Sequence, residues 1–216
     1  MPRIVILSLV ITSLFTITAS PARADESPDF SPEIRLLLHG TSLASNVPGH
    51  EDTSVGLAVW VIEPNLLDAN PQAQATAGLQ LASNTSWIEL LGGGVFSPTT
   101  ETVASPVFDL RAFAAPAKHL HLFGEVSVYG DALYFFAQAD VPIRKSDGDV
   151  AAKIGVEVEG AKAWKGTGGF LAVGPHMILP WSEHFATIVA FQTRGTYAPT
   201  GPVTDLVGRI YAVIDF

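Results

Sequence analysis

Two histidines one residue apart, His119 and His121, are the pair in this chain best spaced for chemistry. On a β-strand, residues i and i+2 share a face. Both imidazoles would then point the same way, with Glu125 on that face as well. Two nitrogens and a carboxylate suit zinc. The spacing supplies no third ligand close in space, so these residues read more simply as histidines beside a turn. His176 lies on an otherwise apolar or small face and reads as a satisfied structural residue. Ser182 and His184 have the spacing that could bring a hydroxyl to a base. They sit in Pro180-Trp181-Ser182-Glu183-His184, where serine is an expected turn residue. Lys165-Gly166-Thr167-Gly168-Gly169 has the composition of a phosphate loop, but its lysine precedes the glycines and no helix follows, so it reads as a plain loop. Gly-x-Ser-x-Gly and His-Glu-x-x-His do not occur. No catalytic residue and no cofactor follow from these motifs.

A larger ionisable set emerges at alternating positions. It comprises Glu89, Asp109, Arg111, Glu125, Asp140, Lys153, Glu157, Glu159, Arg194, Arg209 and Asp215, with the two signs interspersed. Phe123, Tyr134 and Phe136 fall on the same faces. Such a face can fill a narrow interior with mutually paired charges. It can also line a polar conduit whose charges set solute selectivity.

The elements that would position these residues are strands. Candidate strands are 33–41, 54–62, 73–82, 86–96, 106–114, 119–129, 132–141, 150–160, 168–179, 184–196 and 205–216, separated by Gly, Pro, Asp, Ser and Asn clusters. The alternation is clearest in the second half. In 119–129, Leu120, Leu122, Gly124, Val126 and Val128 oppose His119, His121, Phe123, Glu125, Ser127 and Tyr129. In 150–160, Ile154, Val156 and Val158 oppose Lys153, Glu157 and Glu159. Gly92-Gly93-Gly94 inside a candidate strand marks a bend or a close backbone approach.

Composition narrows the class. There is no cysteine, hence no disulfide framework and no thiolate metal site. A net charge of −9 offers no basic footprint for nucleic acid. Charged residues make up only 15%, and mean hydropathy is +0.32. That is too apolar for an ordinary soluble surface, yet no segment after residue 24 approaches the 18 or so consecutive apolar residues of a spanning helix. Lipid admits only helices or closed barrels, because every backbone polar group must be paired internally.

The N-terminus predicts export. Met1-Pro2-Arg3, an apolar run from Ile4 to Thr18, and Ala22-Arg23-Ala24 follow the order of a cleaved signal peptide over residues 1–24. The apolar run is too short for a membrane anchor. Removing Arg3 and Arg23, with no acid in that segment, takes the net charge from −9 to −11. Residues 25–32 read as a polar lead, and 33–216 as one domain. At the other end Leu206, Gly208, Ile210, Ala212, Ile214 and Phe216 alternate with Val207, Arg209, Tyr211, Val213 and Asp215.

With a signal peptide, dyad repeats over 33–216 and the ending Gly208-Arg209-Ile210-Tyr211-Ala212-Val213-Ile214-Asp215-Phe216, the chain resembles the Gram-negative outer-membrane β-barrel proteins. The resemblance implies an all-β fold: a single closed, antiparallel, up-and-down transmembrane β-barrel. It also implies that Ile210, Ala212, Ile214 and Phe216 act as the signal read by the barrel-insertion machinery, with periplasmic chaperones and outer-membrane lipids as partners. Ile214 stands where the class often has an aromatic. An even strand number is the rule for such barrels. The eleven candidate segments therefore predict ten strands, with one segment within 33–96 miscounted and with eight and twelve as alternatives.

Placing Phe216 at the periplasmic end makes 115–118, 145–148 and 180–183 short inner turns and 97–105 and 199–204 outer loops. Trp87, Trp181 and Phe185 then fall near the inner membrane boundary and Trp164 near the outer one, as an aromatic girdle would. The expected function is a non-enzymatic outer-membrane barrel, structural or passing a small solute. The alternatives are a barrel binding or passing an apolar ligand, a lipid- or lipopolysaccharide-modifying barrel enzyme, and a soluble periplasmic binding barrel.

Overall fold

The computed structural model describes residues 29–68, 72–96, 105–164, 168–198 and 201–216; for 43, 44 and 202 only the backbone is described. The expected signal peptide, most of the polar lead, and Lys165–Thr167 lie outside the described residues.

Among the described residues eleven strands follow one another: β1 (Phe30–Val47), β2 (His50–Glu63), β3 (Ala73–Ser83), β4 (Ser86–Phe96), β5 (Ser105–Ala117), β6 (Leu120–Tyr129), β7 (Ala132–Arg144), β8 (Val150–Ala163), β9 (Gly169–Pro180), β10 (Phe185–Ala198) and β11 (Gly201–Asp215). Each pairs antiparallel with the next, and β1 pairs with β11, so the sheet is a closed barrel. The eleven strands correspond one to one with the eleven alternating segments of the sequence. Ten is the wrong number, and the parity rule is what misleads.

Eleven strands make ten antiparallel steps, and that even number of reversals returns the last strand in the same direction as the first. The closing pair is accordingly parallel, in register from Phe30 opposite Leu206 to His39 opposite Asp215. This corrects the expectation of an antiparallel sheet throughout. Backbone bonds extend the seam at both ends: Leu206 N donates to Asp29 O at 2.9 Å, Phe216 N to His39 O at 2.9 Å, and Thr41 N to Phe216 O at 3.0 Å. The last residue is thus held by the first strand rather than left to fray. Its ring lies over Gly40, where an added Cβ would come within 2.6 Å of it.

The two mouths differ. One carries the short connections 48–49, 84–85, 118–119, 145–149 and 181–184, together with Phe216. The other carries Phe30, the end of β2 at Glu63, the end of β4 at Phe96, and the tight turn at Gly130-Asp131.

The alternation of each strand sorts residues between wall and lumen. On β2, Val55, Leu57, Val59 and Val61 face outward and are exposed, while Ala58 and Trp60 are buried. Leu90 and Phe108 are each 65% exposed on the outer face, whereas their neighbours Glu89 and Asp109 are 0% and 1% exposed. Apolar side chains thus cover the outside, and charge is gathered inside. This inverts the usual arrangement, because an isolated buried charge costs several kcal/mol or more unless paired.

Some strands need glycine to curve so tightly. At Gly93 a Cβ would meet the carbonyl oxygen of Ala75 at 1.9 Å, and at Gly174 that of Phe191 at 1.7 Å. Backbone cannot retreat from such contacts, so only glycine fits there.

Candidate functional site: the charged lumen

Cross-strand register places opposite charges side by side. Glu89, Arg111 and Glu125 occupy partnered positions on β4, β5 and β6, and Glu33 partners Arg209 across the seam. From these pairs grow three connected networks.

The first spans the seam. Glu33 accepts from Arg35 at 3.0 Å and from Arg209 Nε at 2.7 Å, and it also pairs with Arg194. Glu159 accepts from Arg35 at 3.0 Å and pairs with Arg209. Below them Glu157 accepts from the Tyr211 hydroxyl at 3.0 Å, Gln192 Nε2 at 2.6 Å and Gln138 Nε2 at 3.2 Å. The buried His176 binds Asp140 through Nε2 and holds Nδ1 3.6 Å from Glu157.

The second network centres on Arg111. It donates to Asp109 at 2.9 Å and to Glu125 at 3.2 Å. Ser127 donates to Glu125 at 2.8 Å, and Gln74 to Asp109 at 2.8 Å. The Tyr129 hydroxyl donates to Gln74 Oε1 at 2.7 Å.

The third surrounds Glu89, which accepts from Trp60 Nε1 and Gln80 Nε2, both at 2.7 Å, and meets His39 Nε2 at 3.1 Å. His39 also lies 3.2 Å from Asp215 through Nδ1 and stacks on Trp60 at 4.1 Å between centroids. Arg111 covers the Trp60 ring at 4.4 Å, which ties the second network to the third.

Among the predicted lumen residues, Glu89, Asp109, Arg111, Glu125, Asp140, Glu157, Glu159 and Arg209 are buried in these networks. Arg194 joins the first from a half-buried position. Lys153 is half-buried, and the Asp215 side chain is 55% exposed at the short-turn mouth, 3.2 Å from His39 Nδ1. Phe136 is buried, with its ring 5.9 Å from that of Phe123; Tyr134 lies edge-on to Tyr129 at 6.1 Å.

The boundary role expected of Trp87 does not fit its place. Its position on β4 is in phase with Glu89 and Leu91, so the ring points inward. It meets Phe113 at 6.1 Å, Phe123 at 5.9 Å and His39 at 6.1 Å, forming an aromatic shelf near the short-turn mouth. Trp164, Trp181 and Phe185 are outward and exposed, and Trp181 Nε1 donates to Thr187 Oγ1 at 2.9 Å. Ile210, Ile214 and Phe216 are exposed on the outer face of β11, with Ala212 half-buried between them.

The histidine pair is not brought to one point. His119 sits exposed in the turn before β6, while His121 packs edge-on against Phe113 at 5.7 Å. Glu125 is committed to Arg111 and Ser127. Among the described residues no three His, Cys, Asp or Glu side chains gather closely enough to hold a metal ion. The Ser182 hydroxyl accepts from the backbone N–H of His184 at 3.2 Å, the bond of a serine turn.

Sequence reasoning placed Tyr211 on the face of Arg209 and Asp215 but missed Glu33, Arg35, His39, Trp60, Gln74 and Gln80. The signal was present in β1, where Glu33, Arg35, Leu37 and His39 alternate with Ile34, Leu36 and Leu38.

Toward the mouth at Pro64, Asp68 and Gln72 the networks leave a cavity of about 490 Å³. Its walls include Arg35, Trp60, Arg111, Phe123, Phe170 and Arg194. A shallower groove of about 350 Å³ runs on the wall between Phe30, Pro175, Phe191 and Leu206. Comparison of the chain with family models, with curated proteins and with solved structures gives no match.

Proposed function

We propose that this chain is a transmembrane β-barrel of a Gram-negative outer membrane whose lumen is closed by its own charged side chains. Its role in the envelope is structural and non-enzymatic. One observation carries the reading: an exposed aliphatic and aromatic wall encloses an interior of buried, mutually paired carboxylates and guanidiniums. Water rewards the opposite arrangement, and hydrocarbon rewards this one. Closure of the sheet also leaves no unpaired strand edge, as a bilayer requires. No helix among the described residues is long and apolar enough to cross a membrane, a fact that bears on helical spans alone.

The closed-lumen reading is favoured over a conduit by how completely the charges are committed. Arg111, Arg209, Glu89, Glu157 and Glu159 are among the largest fully buried side chains. A permeating ion would have to displace charge-assisted bonds rather than pass beside them. The odd strand number departs from the bacterial rule, although odd-stranded membrane barrels exist in mitochondria. The proposed placement puts the short turns and Phe216 in the periplasm and the cavity mouth outside, with the barrel-insertion machinery and periplasmic chaperones as assembly partners.

The test is twofold. Purified protein should require detergent for solubility and migrate differently on gels before and after heating; extraction into plain buffer as a folded monomer overturns the membrane assignment. Reconstituted in planar bilayers, it should give no discrete conductance steps; steady unitary steps overturn the closed lumen.

A further inference from the structure

The cavity has more chemical character than a gap left by packing. At about 490 Å³ it lies within the roughly 300–1,000 Å³ range of small-molecule sites. Three guanidiniums reach its wall, and each lies over an aromatic ring that also lines it. Arg111 covers Trp60 at 4.4 Å, Arg194 covers Phe170 at 5.2 Å, and Arg35 covers Tyr211 at 5.5 Å. Stacked guanidiniums form flat, cationic surfaces on which another planar group can lie.

The polar capacity left over points the same way. The lining carboxylates Glu33, Glu125 and Glu159 are already held by arginines. By contrast, Nε of Arg35, of Arg111 and of Arg194 is buried without an acceptor among the described residues. Arg111 itself is 1% exposed. What the wall lacks is therefore an acceptor rather than a donor. The guanidinium surface open to an acceptor in the cup is that of Arg35 and Arg194, whose side chains are 12% and 19% exposed. A cation would meet three guanidiniums and no uncommitted carboxylate among these residues.

We propose that this cup binds a small aromatic carboxylate entering from the mouth opposite Phe216. Its ring lies among the guanidinium–aromatic pairs, and its carboxylate is taken by Arg35 and Arg194, which share Glu33 and keep exposed surface. The inference goes beyond the envelope role and does not depend on what medium surrounds the wall.

The probe is 4-fluorobenzoate, titrated into the detergent-solubilised full barrel and followed by fluorine NMR relaxation. Saturable binding is expected, with the indole N–H resonance of Trp60 shifting on addition. 4-Fluorobenzylammonium, equal in size and opposite in charge, should bind at least about tenfold more weakly. Ala161→Trp places a large ring in the cup and should abolish binding while heat-dependent gel migration is retained. Val95→Trp fills the same space if that variant does not fold. No saturable binding at millimolar probe overturns the proposal, as does equal affinity for the cation or unchanged binding in the filled variant. Detergent dependence and conductance are read separately, so failure here is distinguishable from failure of the envelope assignment.

Discussion

Glu33 on the first strand and Arg209 on the last are register partners, joined at 2.7 Å across the parallel seam and separated by 176 positions in the chain. The barrel is therefore closed by charge on its inner side as well as by backbone bonds. Glu33 pairs with Arg35 and Arg194 too, so one carboxylate holds three guanidiniums in place.

Glu33→Gln keeps the shape and removes the charge. Breaking a buried pair costs about 3–5 kcal/mol because the partner is left uncompensated. Urea unfolding in lipid vesicles, followed by tryptophan fluorescence, should show a loss of that size. Glu33→Gln combined with Arg209→Gln should cost less than the sum of the two single changes. Strict additivity would mean that the pair is not coupled.

Adjacent glycines should behave oppositely. Gly92 has open space where a Cβ would go, whereas Gly93 has the Ala75 carbonyl oxygen at 1.9 Å. Gly92→Ala should stay within about 0.5 kcal/mol of the parent. Gly93→Ala should cost about 3 kcal/mol, the upper range for overpacking. The two urea midpoints decide it, and equal midpoints would contradict the close approach of β3 and β4.

Leu90 tests what surrounds the wall. It is 65% exposed near the middle of β4. If the wall faces hydrocarbon, Leu90→Arg should cost about 2–4 kcal/mol. On a water-facing surface the same change should stay within about 0.5 kcal/mol. The measurement is the unfolding free energy in bilayers, and a near-zero difference there counts against the membrane assignment.

Phe216→Ala separates assembly from stability. The backbone bonds of residue 216 to His39 and Thr41 remain, and only the ring over Gly40 is lost. Refolding of the purified variant into detergent should be close to the parent. Its assembled, heat-modifiable amount in cells should fall if the ring is the insertion signal. Equal loss in both settings would make Phe216 purely structural.

Much of this architecture was legible because a barrel strand has the shortest period a sequence can carry. Leu90 outside and Glu89 inside follow from alternation alone, as do Arg111 and Glu125 opposite one another. What alternation cannot supply is phase across a mixed face. Trp87 was expected at a membrane boundary because tryptophans favour such places, yet its phase with Glu89 puts it inside. Strand number failed for another reason. The alternating segments numbered eleven, but evenness is a habit of one class of barrels rather than a law of sheets. Only the seam, where residue 30 meets residue 206, decides between closure with ten and with eleven. That contact is long-range and leaves no local trace. The arginine-lined cup was illegible for a similar reason, since Arg35, Arg111 and Arg194 come from β1, β5 and β10.

The parallel seam also gives the molecule a direction. In an even-stranded meander both tails leave from one rim, and the chain is a loop hung from that side. Here the chain enters at the cup mouth, where Phe30 begins β1, and leaves at the opposite rim with Phe216. Topologically it is a thread drawn through the ring. A label fused ahead of Phe30 and another fused after Phe216 would therefore report from opposite sides of whatever the barrel spans.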